Sequence, residues 1–219
     1  MTKKSDRGKS DEGGELTTQI FGLSKRGPAI RTVRSLVPIF RDGGVVALPT
    51  DTIYGFSARF DLESSRRRIT ALKGGGKIGV MLSLVSGVEM AFRYVEPPHG
   101  SCRDLLLKHW PGPMTAVLRS RSHIPTEYCG PGDTLAFRWP MSPFLQALLG
   151  AVGVPLLSTS ANQSGEPTPT TFSELSGLYL GRVEAMVDGG DLAGEASTIV
   201  DLTGSAPVLL RQGALQLGI

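Results

Sequence analysis

Short apolar runs and helix-period segments alternate along this chain from about residue 30 to residue 210, and that alternation restricts its fold more than any other feature. Residues 45–48, 80–85, 114–118, 134–139, 154–157, 183–187, 198–202 and 208–210 each read as a short buried strand. Between them, Val33, Leu36, Val37 and Phe40 fall at helical spacing, with Pro38 marking a kink or the last turn and Gly43-Gly44 the end. Asp61 is placed to cap a helix whose inner face carries Leu62, Ile69 and Leu72, and Ser86 with Glu89 predicts a capping box. A helix over 102–109 runs into the reversal Trp110-Pro111-Gly112-Pro113. Ser142-Pro143 opens a helix that buries Phe144, Leu145, Leu148 and Leu149, and Thr171 with Glu174 caps another. Strands interleaved with helices imply a twisted open α/β sheet with helices packed on it. No repeat and no linker interrupts residues 30–219, which therefore read as one domain behind a disordered tail over residues 1–29.

Composition agrees and excludes several classes. The chain has 219 residues, 40% of them hydrophobic, which is enough for one aliphatic core. A formal net charge of +3 permits an anionic partner without demanding one. No apolar run approaches the ~20 residues of a membrane span, and the start of the chain has no apolar secretory core. Cys102 and Cys129 form no CxxC pair and read as idle thiols. A cytoplasmic protein without membrane contact is expected, so the glycosylation pattern at Asn162-Gln163-Ser164 is idle.

Four polar stretches each sit at the end of an apolar strand, where open α/β sheets place ligand sites. Pro49-Thr50-Asp51-Thr52-Ile53-Tyr54-Gly55 offers hydroxyls, a carboxylate and a phenol to a small polar ligand, or simply closes a strand with a turn. Lys73-Gly74-Gly75-Gly76-Lys77-Ile78-Gly79 suits phosphate, because bare backbone N–H groups and lysines can surround an anion. It departs from the P-loop pattern and serves equally as a surface loop. On the strand beginning at Thr134, alternation puts Thr134, Ala136 and Arg138 on one face. An Arg among small apolar neighbours calls for an anion, a carboxylate above all, or else for a route to water. The run from Ser158 to Thr168 supplies neutral donors and acceptors for a nucleotide, or forms a plain polar loop. Ser197 precedes a strand and Arg211 follows one. His99, His109 and His123 share no metal-ligand spacing and receive no role.

Each signal is weak alone, but their order is specific. Pro-Thr-Asp-Thr-Ile-Tyr-Gly, a Lys-bearing loop, Trp-Pro-Gly-Pro-Met-Thr, Thr-x-Ala-x-Arg-x-Pro, Ser-Thr-Ser-Ala-Asn-x-Ser-Gly, Ser-Thr-Ile-Val-Asp and Leu-Arg-Gln-Gly follow one another between about Ile30 and Ala214. In this the chain resembles the YrdC-like threonylcarbamoyl-AMP synthase family, in its short, single-domain type. The resemblance implies a twisted mixed open sheet with flanking helices enclosing a concave basic pocket. It implies a nucleotidyltransferase that makes L-threonylcarbamoyladenylate from L-threonine, bicarbonate and ATP, releasing pyrophosphate, for N6-threonylcarbamoyladenosine modification of tRNA. It also implies tRNA or double-stranded RNA and the downstream threonylcarbamoyl transferase complex as partners.

Carried over residue by residue, the resemblance assigns Thr52, Arg138, Ser158 and Ser197 to threonine, with Arg138 on its carboxylate. It assigns Lys73, Thr134, Ser160, Thr168 and Arg211 to ATP, with Asn162 in the same loop. No covalent nucleophile, prosthetic group or protein metal ligand is implied, Mg²⁺ being carried by ATP. Gly75 stands where the family's KxR motif has Arg, and Gly79 where it has its next contact; Lys77, between them, is assigned to ATP as their substitute in a re-registered loop. An alternative follows: a YrdC-like paralogue that binds nucleotide or RNA with weak or no synthase activity, since a guanidinium fork is not replaced by a displaced lysine. A carbamoyl-transfer module of the same kinship is a further rival, ranked lower because such modules sit in long chains.

Overall fold

In a computed structural model of the chain, residues 16–23, 29–75, 81–192 and 194–218 are described. Ten strands form one sheet: β1 (Gln19–Gly22), β2 (Val46–Pro49), β3 (Tyr54–Arg59), β4 (Leu82–Leu84), β5 (Met114–Arg119), β6 (Thr134–Arg138), β7 (Leu156–Ser160), β8 (Ala185–Asp188), β9 (Thr198–Asp201) and β10 (Val208–Arg211). Their order across the sheet is β1-β8-β2-β3-β7-β4-β6-β5-β9-β10. Parallel pairs (β1 with β8, β8 with β2, β4 with β6, β5 with β9) mix with antiparallel ones. Six helices connect them: α1 (Ile30–Arg41), α2 (Glu63–Leu72), α3 (Val88–Ala91), α4 (Gly100–His109), α5 (Pro143–Val152) and α6 (Phe172–Tyr179). None of the described helices is long and apolar enough to cross a membrane.

The two-residue period of the strands sorts side chains between two unequal layers. On one face Ala47, Phe56, Phe137, Leu157 and Met186 meet α2, α3, α4 and α6 through Ile69, Met90, Leu106 and Leu175. On the other face Val46, Leu48, Leu84, Leu156 and Val187 are roofed by α1 and α5, which pack against each other. Those two helices cover that face only in part. Along β7 the same parity runs from Leu156 under the roof to Ser158 and Ser160, which line an open cleft.

Local signals explain several boundaries. Pro38 sits in the last turn of α1, and the buried stripe is Val33, Leu36 and Phe40, as the spacing predicts. Ser142 accepts a hydrogen bond from Leu145 N and Pro143 opens α5, while Thr171 and Glu174 close a reciprocal capping box on α6. Two predicted caps are corrected. Asp61 does not cap α2, which starts after Leu62; its carboxylate is gripped by Arg59 through Nε at 2.8 Å and Nη2 at 2.6 Å. Ser86 and Glu89 form no capping box, since Gly87 takes the cap of α3 and Ser86 Oγ turns to Met90 Sδ at 3.8 Å.

β3 escaped the sequence reading, because it starts inside the first polar stretch, and the strand expected at 154–157 is shifted as β7 into the last one. The expected tail over residues 1–29 is corrected at Gln19–Gly22, which pairs in parallel with Ala185–Asp188 as β1. Thr18 Oγ1 fixes its start, donating to Val183 O at 2.6 Å and accepting from Gly181 N at 2.8 Å.

Leu148 is fully buried between α5 and the sheet, whereas Leu178 on α6 is 55% exposed. Leu148→Ala should lower unfolding free energy by about 2–5 kcal/mol, and Leu178→Ala by less than about 0.5 kcal/mol, as read from denaturant midpoints.

Candidate active site

The half of the sheet left unroofed forms the floor of a cleft of about 630 Å³, a volume ordinary for a small-molecule site. One row crosses this floor by register: Ser57 opposite Ser158, Ser158 opposite Leu82, Leu82 opposite Ala136, Ala136 opposite Val117, and Val117 opposite Asp201. Thr134, Ala136 and Arg138 all face it, as the alternation predicts, while Leu135 and Phe137 go to the opposite core. Of the residues singled out from sequence, Thr52, Arg138, Ser158, Ser197, Thr134, Ser160, Thr168 and Arg211 line this one cleft. Its lining carries two guanidiniums, Arg138 and Arg211, and one carboxylate, Asp201.

Arg138 anchors one end. It is 3% exposed, so its charge requires acceptors on all sides. Nε donates to Gly112 O at 3.3 Å, Nη1 to Thr52 Oγ1 at 2.8 Å, and Nη2 to Asp51 Oδ1. A guanidinium has five N–H donors, so one on each terminal nitrogen is left over. The carboxylate that the sequence reading sought for Arg138 is thus already present within the protein, as Asp51. Thr52 is set by a turn in which Thr50 Oγ1 accepts from Thr52 N and Ile53 N, each at 3.1 Å, and meets Thr52 Oγ1 at 2.9 Å. The simple turn and the ligand-facing wall are therefore the same residues. Gly194 packs onto this turn so closely that a Cβ there would overlap the Thr52 carbonyl.

The opposite wall is built around Ser197. Its hydroxyl meets Thr115 Oγ1 at 2.7 Å in a buried pair, and its carbonyl accepts from Arg211 Nη2 at 2.8 Å. Burial lowers the pKa of Arg211, although the guanidinium stays charged at any ordinary pH. Thr134 Oγ1 donates to Pro131 O at 3.0 Å, and Asp201 accepts from Thr203 N at 2.8 Å.

Lys73 and Asn162 lie just beyond the lining and connect to it through Ser160. The Lys73 ammonium, 7% exposed, donates to Ser160 O and Oγ, each at 3.1 Å, and to Asn162 Oδ1 at 2.8 Å. Asn162 in turn donates to Glu166 O. Among the described residues no carboxylate pairs with Lys73, and desolvation by burial lowers its pKa. A buried cation held only by neutral oxygens remains short of negative charge, as suits an anion site. Gly74 and Gly75 follow with φ of +98° and +77°. They bend the chain off α2, with Gly75 N donating to Thr70 O at 2.9 Å. A Cβ at 75 would meet no atom of the described residues within 4 Å, its chain neighbours aside, but would sit in a left-handed backbone, at a cost of about 1–2 kcal/mol. Lys77 and Gly79 lie outside the described residues.

Asp51, Thr115 and Asp201 are among the polar residues of the site that received no individual assignment from sequence. Asp51 lay in the first stretch, but nothing local ties it to Arg138, 87 residues away. Thr115 ends the quoted Trp-Pro-Gly-Pro-Met-Thr run, and Asp201 ends Ser-Thr-Ile-Val-Asp; those motifs were the available signal.

A family model described as "Telomere recombination", the Sua5–YciO–YrdC domain, matches residues 38–213. A threonylcarbamoyl-AMP synthase of Pyrococcus abyssi is 33% identical over 186 residues, covering 84% of this chain and 55% of the relative. The chain therefore spans little more than half the length of the curated relatives it matches. The solved structure of P. abyssi Sua5 complexed with L-threonine superimposes with a TM-score of 0.82 at 32% identity, covering 90% of this chain and 58% of that one. That of E. coli YciO gives 0.83 at 26% identity, covering 92% and 98%.

A pH dependence follows from Lys73. Its lowered folded-state pKa means that, between that value and the ordinary ~10.4, the unfolded chain binds more protons than the folded one. The burial penalty is fully present below this window and is relieved as pH rises through it. The stability of the wild type relative to Lys73→Gln should therefore increase from pH 7 toward pH 10 in urea titrations; a flat or falling difference contradicts the assignment.

Proposed function

The chain belongs to the Sua5–YciO–YrdC family, and from that premise we propose that it makes L-threonylcarbamoyladenylate from L-threonine, bicarbonate and ATP, releasing pyrophosphate. The product supplies N6-threonylcarbamoyladenosine formation in tRNA, handed on to a threonylcarbamoyl transferase complex in the cytoplasm. One observation carries the reading. Thr52, Arg138, Ser158 and Ser197 share a single cleft with Thr134, Ser160, Thr168 and Arg211, so an amino acid and a nucleotide can be held side by side. A P. abyssi relative solved in complex with L-threonine supports threonine as a substrate.

In this reading the two unspent N–H groups of Arg138 take the threonine carboxylate as a fork, and the hydroxyls of Thr52, Ser158 and Ser197 take its amino and side-chain groups. Bicarbonate yields CO₂ and hydroxide. The free amine of threonine adds to CO₂, forming the N–C bond, and its lost proton converts hydroxide to water. An oxygen of the resulting carbamate attacks the α-phosphorus of ATP. The bond from that phosphorus to the bridging oxygen breaks, and pyrophosphate leaves with the electron pair. No protein group becomes covalently attached. The chain contributes proximity and charge: Lys73, with Arg211 and Lys77, offsets the phosphates alongside the Mg²⁺ that enters with ATP. Ser160 and Asn162 hold Lys73 in place.

A second reading is favoured by Gly75. Where the family's motif carries a guanidinium, this chain carries a left-handed glycine with no side chain, which suits a nucleotide- or RNA-binding relative with weak synthesis.

Folded protein should release pyrophosphate from ATP only when threonine and bicarbonate are both present, and release of none defeats the synthase reading. Arg138→Ala should raise the KM for threonine by about ten- to a hundredfold, well beyond any change for ATP; the reverse pattern overturns the role of Arg138. Gly75→Arg separates the two readings: a large gain in adenylate formation identifies the natural loop as the weak point, and no gain supports the first.

A further inference from the structure

Asp51 is absent from the cleft lining, yet it makes the one ion pair of Arg138 among the described residues. We propose that Asp51 is a positioning residue, which neutralises Arg138 and aims its two unspent N–H groups into the cleft as a carboxylate fork. The inference rests on the threonine reading above and deepens it.

Three observations carry it. First, the guanidinium is held on three edges at once: Gly112 O on Nε at 3.3 Å, Thr52 Oγ1 on Nη1 at 2.8 Å, and Asp51 Oδ1 on Nη2. Bonds on three edges of a rigid planar group fix its place and its rotation. Second, the other oxygen of Asp51 accepts from Met141 N at 3.0 Å, so the carboxylate is itself anchored to the chain just beyond β6, the strand that carries Arg138. Third, both partners are largely out of water, with side-chain exposures of 3% and 14%. There the pair is screened little and its charges cancel locally.

The consequence concerns selectivity. An unpaired buried guanidinium attracts any small anion. A paired one, left with one N–H on each terminal nitrogen, rewards a ligand able to accept both, as the two oxygens of an α-carboxylate can. Asparagine cannot take over this task. Asp51 accepts from two donors, Arg138 Nη2 and Met141 N, and a side-chain amide has a single accepting oxygen, so one donor would face the amide NH₂.

The test is direct binding of L-threonine and of ATP by calorimetry to the full chain and its variants, with chloride and sulfate as small-anion probes. Asp51→Asn should weaken threonine about ten- to a hundredfold and change ATP by less than about twofold. It should also acquire competition by chloride and thermal stabilisation by sulfate, which Arg138→Gln in the same background abolishes. A merely structural role would not produce that gain. Asp51→Glu, which keeps the charge but moves the fork by one methylene, should weaken threonine without gaining anion competition. It serves as the second variant should Asp51→Asn fail to fold. Threonine binding at the wild-type level in either variant overturns the proposal, as does equal weakening of threonine and ATP. If the wild type binds no threonine, the functional reading fails while the sulfate arm still decides this inference: gain in Asp51→Asn supports it, no gain sinks it.

Discussion

A guanidinium taken almost wholly out of water has to be answered on every edge, and the cleft is organised around that demand. Arg138 is answered by Gly112 O, Thr52 Oγ1 and Asp51, which belong to two separate parts of the chain, both distant in sequence from β6. Losing one partner of such a pair costs about 3–5 kcal/mol, because the remaining charge is stranded. The β2–β3 turn, the Trp-Pro-Gly-Pro reversal and the end of β6 are therefore held together by a polar requirement in addition to the apolar packing of Trp110 and Trp139. Gly112 serves the same junction twice, since its N–H also donates to Trp139 O at 2.8 Å. The close fit of Gly194 on Thr52 adds a fourth segment, the one that leads into Ser197.

That junction can face a ligand because the sheet is roofed unequally. Four helices cover one face, but α1 and α5 cover only part of the other. Strands that continue past the roof keep their two-residue parity while their chemistry changes. β7 passes from Leu156 to Ser158 and Ser160, and β6 presents Thr134, Ala136 and Arg138. Hydroxyls suit this place: they are small enough for a floor and donate or accept as required. The mixed order of the sheet brings β9 and β10 to its far side, and with them Ser197, Asp201 and Arg211.

Elements with a buried period were legible in the sequence, and those held by a partner were not. The spacing of α1 and the caps of α5 and α6 are local properties and were read correctly. β1 is four residues with three of them exposed, so only its pairing with β8 makes it a strand. β3 carries Gly55 and Ser57 on its cleft side, which breaks the apolar run that would mark it. The caps at Asp61 and Ser86 failed because nearby side chains, Arg59 and Met90, offered those groups other partners. For the site, the one-face placement of Thr134, Ala136 and Arg138 followed from strand geometry. The convergence of Thr52, Ser197 and Arg211 came instead from the order of motifs, because contacts across so much sequence leave no local trace. Asp51 shows the limit: its type was visible, but its partner was not.

The Lys73 corner shows how one loop can gain order and lose charge together. Gly74 and Gly75 provide the left-handed turn that ends α2, a task glycine performs without steric cost. The turn leaves Lys73 pointing at Ser160 and Asn162, where neutral oxygens fix all three of its donors. A Cβ at 75 would meet none of the described residues outside its chain neighbours but would lack a comfortable backbone. Geometry and charge thus pull in opposite directions at this one position. With no guanidinium at 75, the described cation of this corner is a lysine whose own burial disfavours its charge. In the reading proposed above, an arriving phosphate would supply the missing negative charge and favour the ammonium.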